Sequence, residues 1–160
     1  MRALPSVGPL IAQLNAAGIT LPPGPVRVDG FGDSAELSIE LLDLIKSGRK
    51  RAGTGLLWAY EYDKEPIAQT GDIEIVMDHQ NQPALVTQVV SSDVVAFNQV
   101  TAAYAAIEGE GDGSLDYWRK GHWNFFSREC ARIRKEPTQT MPVICNVFEL
   151  LHILPTPDGG

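Results

Sequence analysis

Apolar positions at Leu37, Leu41, Leu44 and Ile45 recur at helical spacing and predict a helix over residues 34–47. Asp33 is placed to cap it, Glu36 completes an acidic capping box, and Gly48 marks its end. The period then changes. Over residues 51–62, Trp58, Tyr60 and Tyr62 alternate with Ala59 and Glu61, which predicts a strand. After the loop DKEPIAQTGD, the runs IEIVMD and ALVTQVVSSDVVAF flank the turn HQNQP and read as a hairpin, its second strand bending near Ser91 to Asp93. A short helix over 99–107 follows Asn98 as cap and stops at the run EGEGDG. Ser114 caps a longer helix reaching Ile133, with Leu115, Trp118, His122, Phe125, Phe126 and Ile133 on its apolar positions. The stretch VICNVFELLHIL closes the series as a strand.

Successive strands, few helices and no alternating βαβ units predict an α+β domain with an all-antiparallel heart, curved into a small sheet or barrel. Residues 1–28 read as a peripheral arm, with a short helix over PLIAQLNAA and the breaker LPPGP after it. The domain is expected over 29–154, and 155–160 read as a disordered tail.

Composition narrows the class. At 160 residues, with 44% hydrophobic and 21% charged residues, the chain is expected to be one soluble domain. It has no apolar run of the roughly eighteen residues a membrane span needs, and no signal-peptide core, so a cytoplasmic location is expected. Cys130 and Cys145 stand singly and read as buried thiols. The net charge of -7 argues against nonspecific coating of duplex nucleic acid, which needs many neutralised phosphates. The cations are nevertheless clustered: ten of the 13 Lys and Arg residues fall within 46–51 and 119–135. Were those windows to meet in space, an acidic protein would carry a local basic groove.

Three stretches carry candidate chemistry. SGRKRAGTG lacks the GK[ST] ending of a phosphate-binding loop and precedes a strand; Lys50 can serve there as a point charge or, if desolvated, as a general base, with a solvated turn as the plainer alternative. EGEGDG offers Glu108, Glu110 and Asp112 as oxygen ligands for magnesium or manganese, or one of them as a base, against the plainer alternative of a solvated loop. LDYWRKGHWNFFSREC puts Arg119, His122 and Phe126 on one helical flank and Trp123 and Ser127 on another. Trp118 and Phe125 read as core and Trp123, His122 and Ser127 as candidates to line a cleft, with His122 a packed or hydrogen-bonded residue rather than an acid or base. The chain carries no G-x-S-x-G elbow.

The combination of G-x-K at 48–50, EGEGD, and W-x-F-F-S-R-E-C at 123–130 resembles the ASCH domain, the family named for activating signal cointegrator homology. The resemblance spans about residues 32–151 and implies a PUA-like β-barrel with helices around it and a cleft for RNA or a modified nucleoside. It implies either a metal-dependent ribonuclease acting on single-stranded RNA or an amidohydrolase of acetylcytidine. By the same resemblance Lys50 is the motif lysine, Ser127 the motif serine, and Glu108 or Glu110 the acid. Where the family pattern continues K-x-x-T, this chain has Gly53, and Thr54 is shifted by one, which on a strand turns its side chain to the other face.

The resulting expectation is binding of single-stranded RNA, with cleavage. Lys50 would stabilise charge on the phosphorane, Ser127 would orient an oxygen, and Glu110 or Glu108 would hold Mn or Mg or accept a proton. Arg49, Arg51, Thr54, Arg119, Trp123 and Arg128 would line the RNA path. The alternatives are the amidohydrolase, with Lys50 as base and Thr54 or water as nucleophile, and a reader of RNA or modified nucleotides without turnover.

Overall fold

In the computed structural model, which describes residues 4–155, the chain runs as α1 (Val7–Ala16), β1 (Val26–Gly30), α2 (Ala35–Lys46), β2 (Ala52–Leu56), α3 (Leu57–Asp63), β3 (Ile73–Met77), β4 (Pro83–Ala96), a 3-10 turn at Phe97–Gln99, α4 (Ala102–Glu108), α5 (Leu115–Ile133) and β5 (Pro142–Ile153). The five strands form one sheet in the order β1-β3-β4-β5-β2. Its curl comes from β4, a 14-residue strand whose register slips twice against β5, between Val86 and Thr87 and between Val89 and Ser91. Such bulges bend and twist a strand, so the bend expected near Ser91 closes the sheet into a half-barrel. The fold is α+β, as the strand and helix pattern predicts.

Three expectations need correction. The antiparallel heart is there as β3-β4-β5-β2, but an unexpected fifth strand, β1, runs parallel to β3, with Val26 opposite Ile73 and Gly30 opposite Met77. The connection between them is long and contains α2, β2 and α3, which is what a parallel pair requires. The aromatic run 57–63 is a helix, not a continuation of β2. Three aromatics spaced by two residues fit a strand, but they also fit one and a half helical turns in which Ala59 faces the core. The helix carries Tyr60 back over β2, where a Cβ on Gly55 would stand 2.7 Å from the ring, so glycine is required at 55. The third correction concerns α4, which starts at Ala102 with Thr101 as cap, its hydroxyl accepting from Tyr104 N at 3.1 Å.

The caps of the two longer helices follow their sequence signals closely. Ser34, one residue after the expected Asp33, accepts from Leu37 N and opens α2. Ser114 accepts from Tyr117 N and opens α5. The stretch expected as a peripheral arm supplies core residues: Leu10 and Leu14 of α1 are buried against Ile73, Ile75 and Met77 on one face of the sheet. On the other face, Leu42 and Ile45 of α2 pack on Val76, Leu85 and Phe148. A third cluster joins α4 and α5 to β2 and β5 through Phe97, Trp118, Phe126 and Val143. Of the expected tail, only Pro155 is described; residues 156–160 lie outside the described residues. Between α2, β2 and α5 the sheet leaves a cleft of about 310 Å³.

Candidate functional site

The turn after α2 is tied directly to the end of α4. Lys50 N donates to Leu44 O at the C-terminus of α2, and Arg51 N donates to Ile107 O. Gly109, at φ +70°, lets the two segments touch, because a Cβ there would collide with the Arg49 carbonyl. By this joint the SGRK turn and the EGEGDG run, almost sixty residues apart in sequence, share one site.

Lys50 is 1% exposed, the most buried cationic side chain that a solvated turn could have offered. Its Nζ donates to Ala52 O at 2.7 Å and lies 3.4 Å from Glu108 Oε1 and 3.3 Å from Glu110 Oε2. Glu108 is equally enclosed and accepts from four donors. Oε1 takes His122 Nε2 at 2.9 Å and Lys50; Oε2 takes Trp118 Nε1 at 2.6 Å and the Thr54 hydroxyl at 2.9 Å. Burial alone would raise its pKa, but the adjacent charges of Lys50 and His122 and these hydrogen bonds hold the carboxyl well below the usual range. Glu110 goes the other way: burial and the neighbouring Glu108 charge raise its pKa against the pull of Lys50.

His122 stacks on Trp118, ring centroids 4.2 Å apart. Both of its ring nitrogens meet acceptors, Nδ1 the Trp118 carbonyl and Nε2 the Glu108 carboxylate, each at 2.9 Å. That pattern suits the doubly protonated imidazolium. Burial pulls its pKa down, but Glu108 outweighs burial and the net direction is up. The sequence reading of His122 as packed is half of the answer; it is also an ionic partner of the site. Tyr104 was not singled out at all. Its hydroxyl donates to Gly53 O at 2.8 Å and lies 3.0 Å from Thr54 Oγ1. A signal was present in both cases: His122 falls one helical turn after Trp118, and Tyr104 one turn before Glu108.

Thr54 is a correction. The one-residue shift was expected to turn it away, yet its hydroxyl reaches Glu108 and it lines the cleft. Strand alternation cannot be counted from Lys50, because Lys50 belongs to the turn and β2 begins only at Ala52. Gly53 instead faces Phe31, 3.0 Å from where a Cβ would stand.

The basic windows do not merge into a groove. Lys50 and Arg128 line the cleft, together with the acids Asp29, Glu74, Glu108, Glu110 and Glu129. Arg128 is paired with Asp33 at 2.8 Å, and Arg132 grips Asp63 through two bonds of 2.9 Å. Arg49 donates to Gly111 O and Arg51 to Gly48 O, both in exposed positions. Arg119 and Trp123 border a separate shallow hollow beside Phe97, Lys120 and Gln139. Ser127 is half-buried on a flank of α5 that does not line the cleft. Asp112 is spent on the loop itself, accepting from Ser114 N.

Glu108, Glu110 and His122 each offer a ligand atom within 4.8 Å of the others, the one such group among the described residues. The arrangement does not suit a divalent ion. The Lys50 ammonium already stands between the two carboxylates, Glu108 has both oxygens engaged, and His122 Nε2 points a proton at Glu108. The cation that this donor set holds is the lysine.

The chain is similar to two solved structures over nearly its whole length. An ASCH domain from Lactobacillus crispatus JV V101 is 29% identical, with a TM-score of 0.78 over 89% of this chain and 92% of that one. A protein of Enterococcus faecalis V583 is 28% identical, with a TM-score of 0.76 over 90% of this chain and 86% of that one. No curated protein matches by sequence. The PUA-like architecture is shared with these ASCH-domain neighbours. The family model of the ASCH domain matches residues 27–152, from β1 to the last turn of β5, and the chain belongs to that family.

Proposed function

We propose that the protein hydrolyses an amide bond carried by a small nucleoside-like molecule, of which acetylcytidine is the type. The observation that supports this most is the confinement of a buried Lys50, Thr54, Glu108 and Glu110 in a cleft of about 310 Å³. That volume is at the low end for ligand pockets and suits one base rather than a length of backbone.

The residues divide the work by their electrostatics. The Lys50 ammonium supplies fixed positive charge where a carbonyl oxygen turns into an oxyanion. Glu110, part-exposed and with its pKa raised by burial and the Glu108 charge, is suited to take and return a proton. Water attacks the acyl carbon while Glu110 takes its proton. Collapse then breaks the C–N bond as the same proton passes to the leaving nitrogen, releasing the carboxylic acid and the free amine. Thr54 is the other available nucleophile, but its hydroxyl donates to Glu108, whose depressed pKa makes it a weak base. Thr54 is therefore assigned to orientation and water to attack.

The reading as a metal-dependent ribonuclease on single-stranded RNA keeps one observation in its favour, the spacing of Glu108, Glu110 and His122. Against it stand the ammonium within that cluster and the placement of Ser127, Arg119 and Trp123 away from the Lys50 cleft. One experiment separates the readings: acetylcytidine and single-stranded RNA are each incubated with the protein, with manganese and with chelator. Cytidine release that survives chelator and is lost in Lys50→Ala is expected. RNA cleavage that needs manganese, without cytidine release, would transfer the function to the ribonuclease, and binding without turnover would make the protein a reader.

A further inference from the structure

β3 holds a carboxyl where its neighbours are all aliphatic. Ile73, Ile75, Val76 and Met77 are fully buried, and Glu74 among them is only 5% exposed. An ionised carboxylate in such a place is costly unless it is closely paired. Its nearest cation is not close: Arg27 Nε stands 3.7 Å from Glu74 Oε2, beyond hydrogen-bond distance. Burial first, and Asp29 second, push the Glu74 carboxyl up to about 8, and Asp29 shares a hydrogen bond with it. At neutral pH Glu74 thus keeps its proton beside Asp29. None of the groups that set this balance belongs to the Lys50 cluster, so the cleft has two separate polar ends.

Two buried polar atoms near these acids lack partners. Thr87 faces Glu74 across the β3–β4 ladder and is 1% exposed, and its hydroxyl has no hydrogen-bond partner among the described residues, although it does not line the cleft. Asn146, on the cleft wall, has a buried Oδ1 that likewise lacks one. Orphaned buried polar atoms are rare in folded proteins and call for a partner. Between the two ends lie Phe31 and Phe148, ring centroids 6.1 Å apart, with Gly53 leaving room beside Phe31. A flat ring fits against such a wall.

Resting on the reading of the Lys50 cleft as a nucleoside site, we infer that Glu74 and Asp29, with Asn146, bind the ribose hydroxyls of a neutral nucleoside while its amide lies at Lys50. The end they form offers acceptors, and hydroxyls are donors to them. A phosphate there would meet the Glu74 and Asp29 carboxyls, with the nearby Arg27 already facing Glu74, so the nucleoside is selected over its nucleotide. The Arg27 guanidinium beside Glu74 favours a neutral donor over a cationic one.

The test compares acetylcytidine with its 2′,3′-dideoxy analogue on the full chain. Wild type should favour the ribonucleoside on the order of tenfold or more, mostly in KM, the scale of one hydrogen bond to a charged group. In Glu74→Gln, and independently in Asp29→Asn, that ratio should fall toward one, with circular dichroism confirming the fold of each variant. A wild-type ratio near one, or a ratio unmoved in both folded variants, overturns the inference while leaving the hydrolase reading intact. If acetylcytidine is not hydrolysed at all, that reading fails, and calorimetry with cytidine and dideoxycytidine still decides this one. Tighter binding of cytidine supports it, and equal or no binding of the two overturns it.

Discussion

Replacing Glu108 by glutamine changes one charge and almost no volume, yet the geometry assigns it a large effect. The carboxylate accepts from Lys50, His122, Trp118 and Thr54 with its side chain 1% exposed. Glutamine keeps one acceptor oxygen and turns an NH2 toward donors, so two hydrogen bonds are lost and Lys50 and His122 keep only Glu110, at 3.3 and 3.8 Å, as a counter-charge. Breaking a buried ion pair from one side costs about 3–5 kcal/mol. Against a total stability of roughly 5–15 kcal/mol, that is a substantial fraction. At about 2–4 °C per kcal/mol for a domain of this size, Tm should fall by about 10 °C. Thermal and urea unfolding of the two proteins at pH 7 measure it. A loss below about 1 kcal/mol would mean that water, not Glu108, satisfies Lys50 and His122.

The pH dependence supplies a second sign for the same residue. Because the folded carboxyl ionises more easily than the unfolded one at 4.5, Glu108 contributes stability above that value and loses it as pH falls through the range below. Glu108→Gln should therefore flatten the acid limb of the stability curve. His122, whose pKa is raised above 6.5, contributes stability below that value that is lost as pH rises past its folded pKa. An NMR titration of His122 should show its pKa falling in Glu108→Gln. An unchanged imidazole titration would sink the ion-pair account.

Other changes have separate outcomes. Glu74 is neutral in the fold up to about 8 but ionised in the unfolded chain above 4.5, so rising pH between those values should remove several kcal/mol of stability; Glu74→Gln should abolish that slope in urea titrations at pH 5 and pH 8. Gly109→Ala places a Cβ against the Arg49 carbonyl at a positive φ, and should cost upward of about 1 kcal/mol and displace Lys50, read as lost turnover and a lower Tm. Arg128→Ala breaks an ion pair whose side chains are 54% and 39% exposed, and its unfolding free energy should move by less than about 1 kcal/mol. If Glu110 is the base, turnover should fall as pH drops through a value above 4.5, and Glu110→Gln should lose that limb together with most of the rate.

What could be read from the chain was set by the range of the physics involved. Helices α2 and α5 were legible because periodicity, a capping side chain at the start (Asp33 expected and Ser34 found for α2, Ser114 for α5) and, for α2, the terminal Gly48 act within a few positions. The same locality misled at 57–63, where three aromatics spaced by two residues satisfied a strand template, and only the contact of Tyr60 with Gly55 decides for a helix. The parallel pairing of β1 with β3 spans more than forty residues and leaves no local mark. In the site, Lys50 and Glu108 stood out as charges beside glycines, whereas Tyr104 and His122 acquire their roles only from what they face across the fold.

The same distinction explains why a clustered set of cations did not make a basic groove. Sequence clustering reports where charges lie along the chain, but a field in space depends on what each charge meets after folding. Here the acids outnumber the cations, 20 to 13, and on the site-forming segments Lys50, Arg128 and Arg132 are paired with acids while Arg49 and Arg51 donate to backbone carbonyls. Arg128 goes to Asp33, Arg132 to Asp63 and Glu129, and Lys50 to Glu108 and Glu110. A pair whose members are both exposed does little, because water screens it. Lys50 is different in kind: enclosed at 1% exposure, it is little screened by water, and its field is confined to the cleft it lines. A phosphodiester backbone needs many exposed cations, whereas a single reacting carbonyl needs one enclosed cation, and the burial of Lys50 therefore favours the carbonyl.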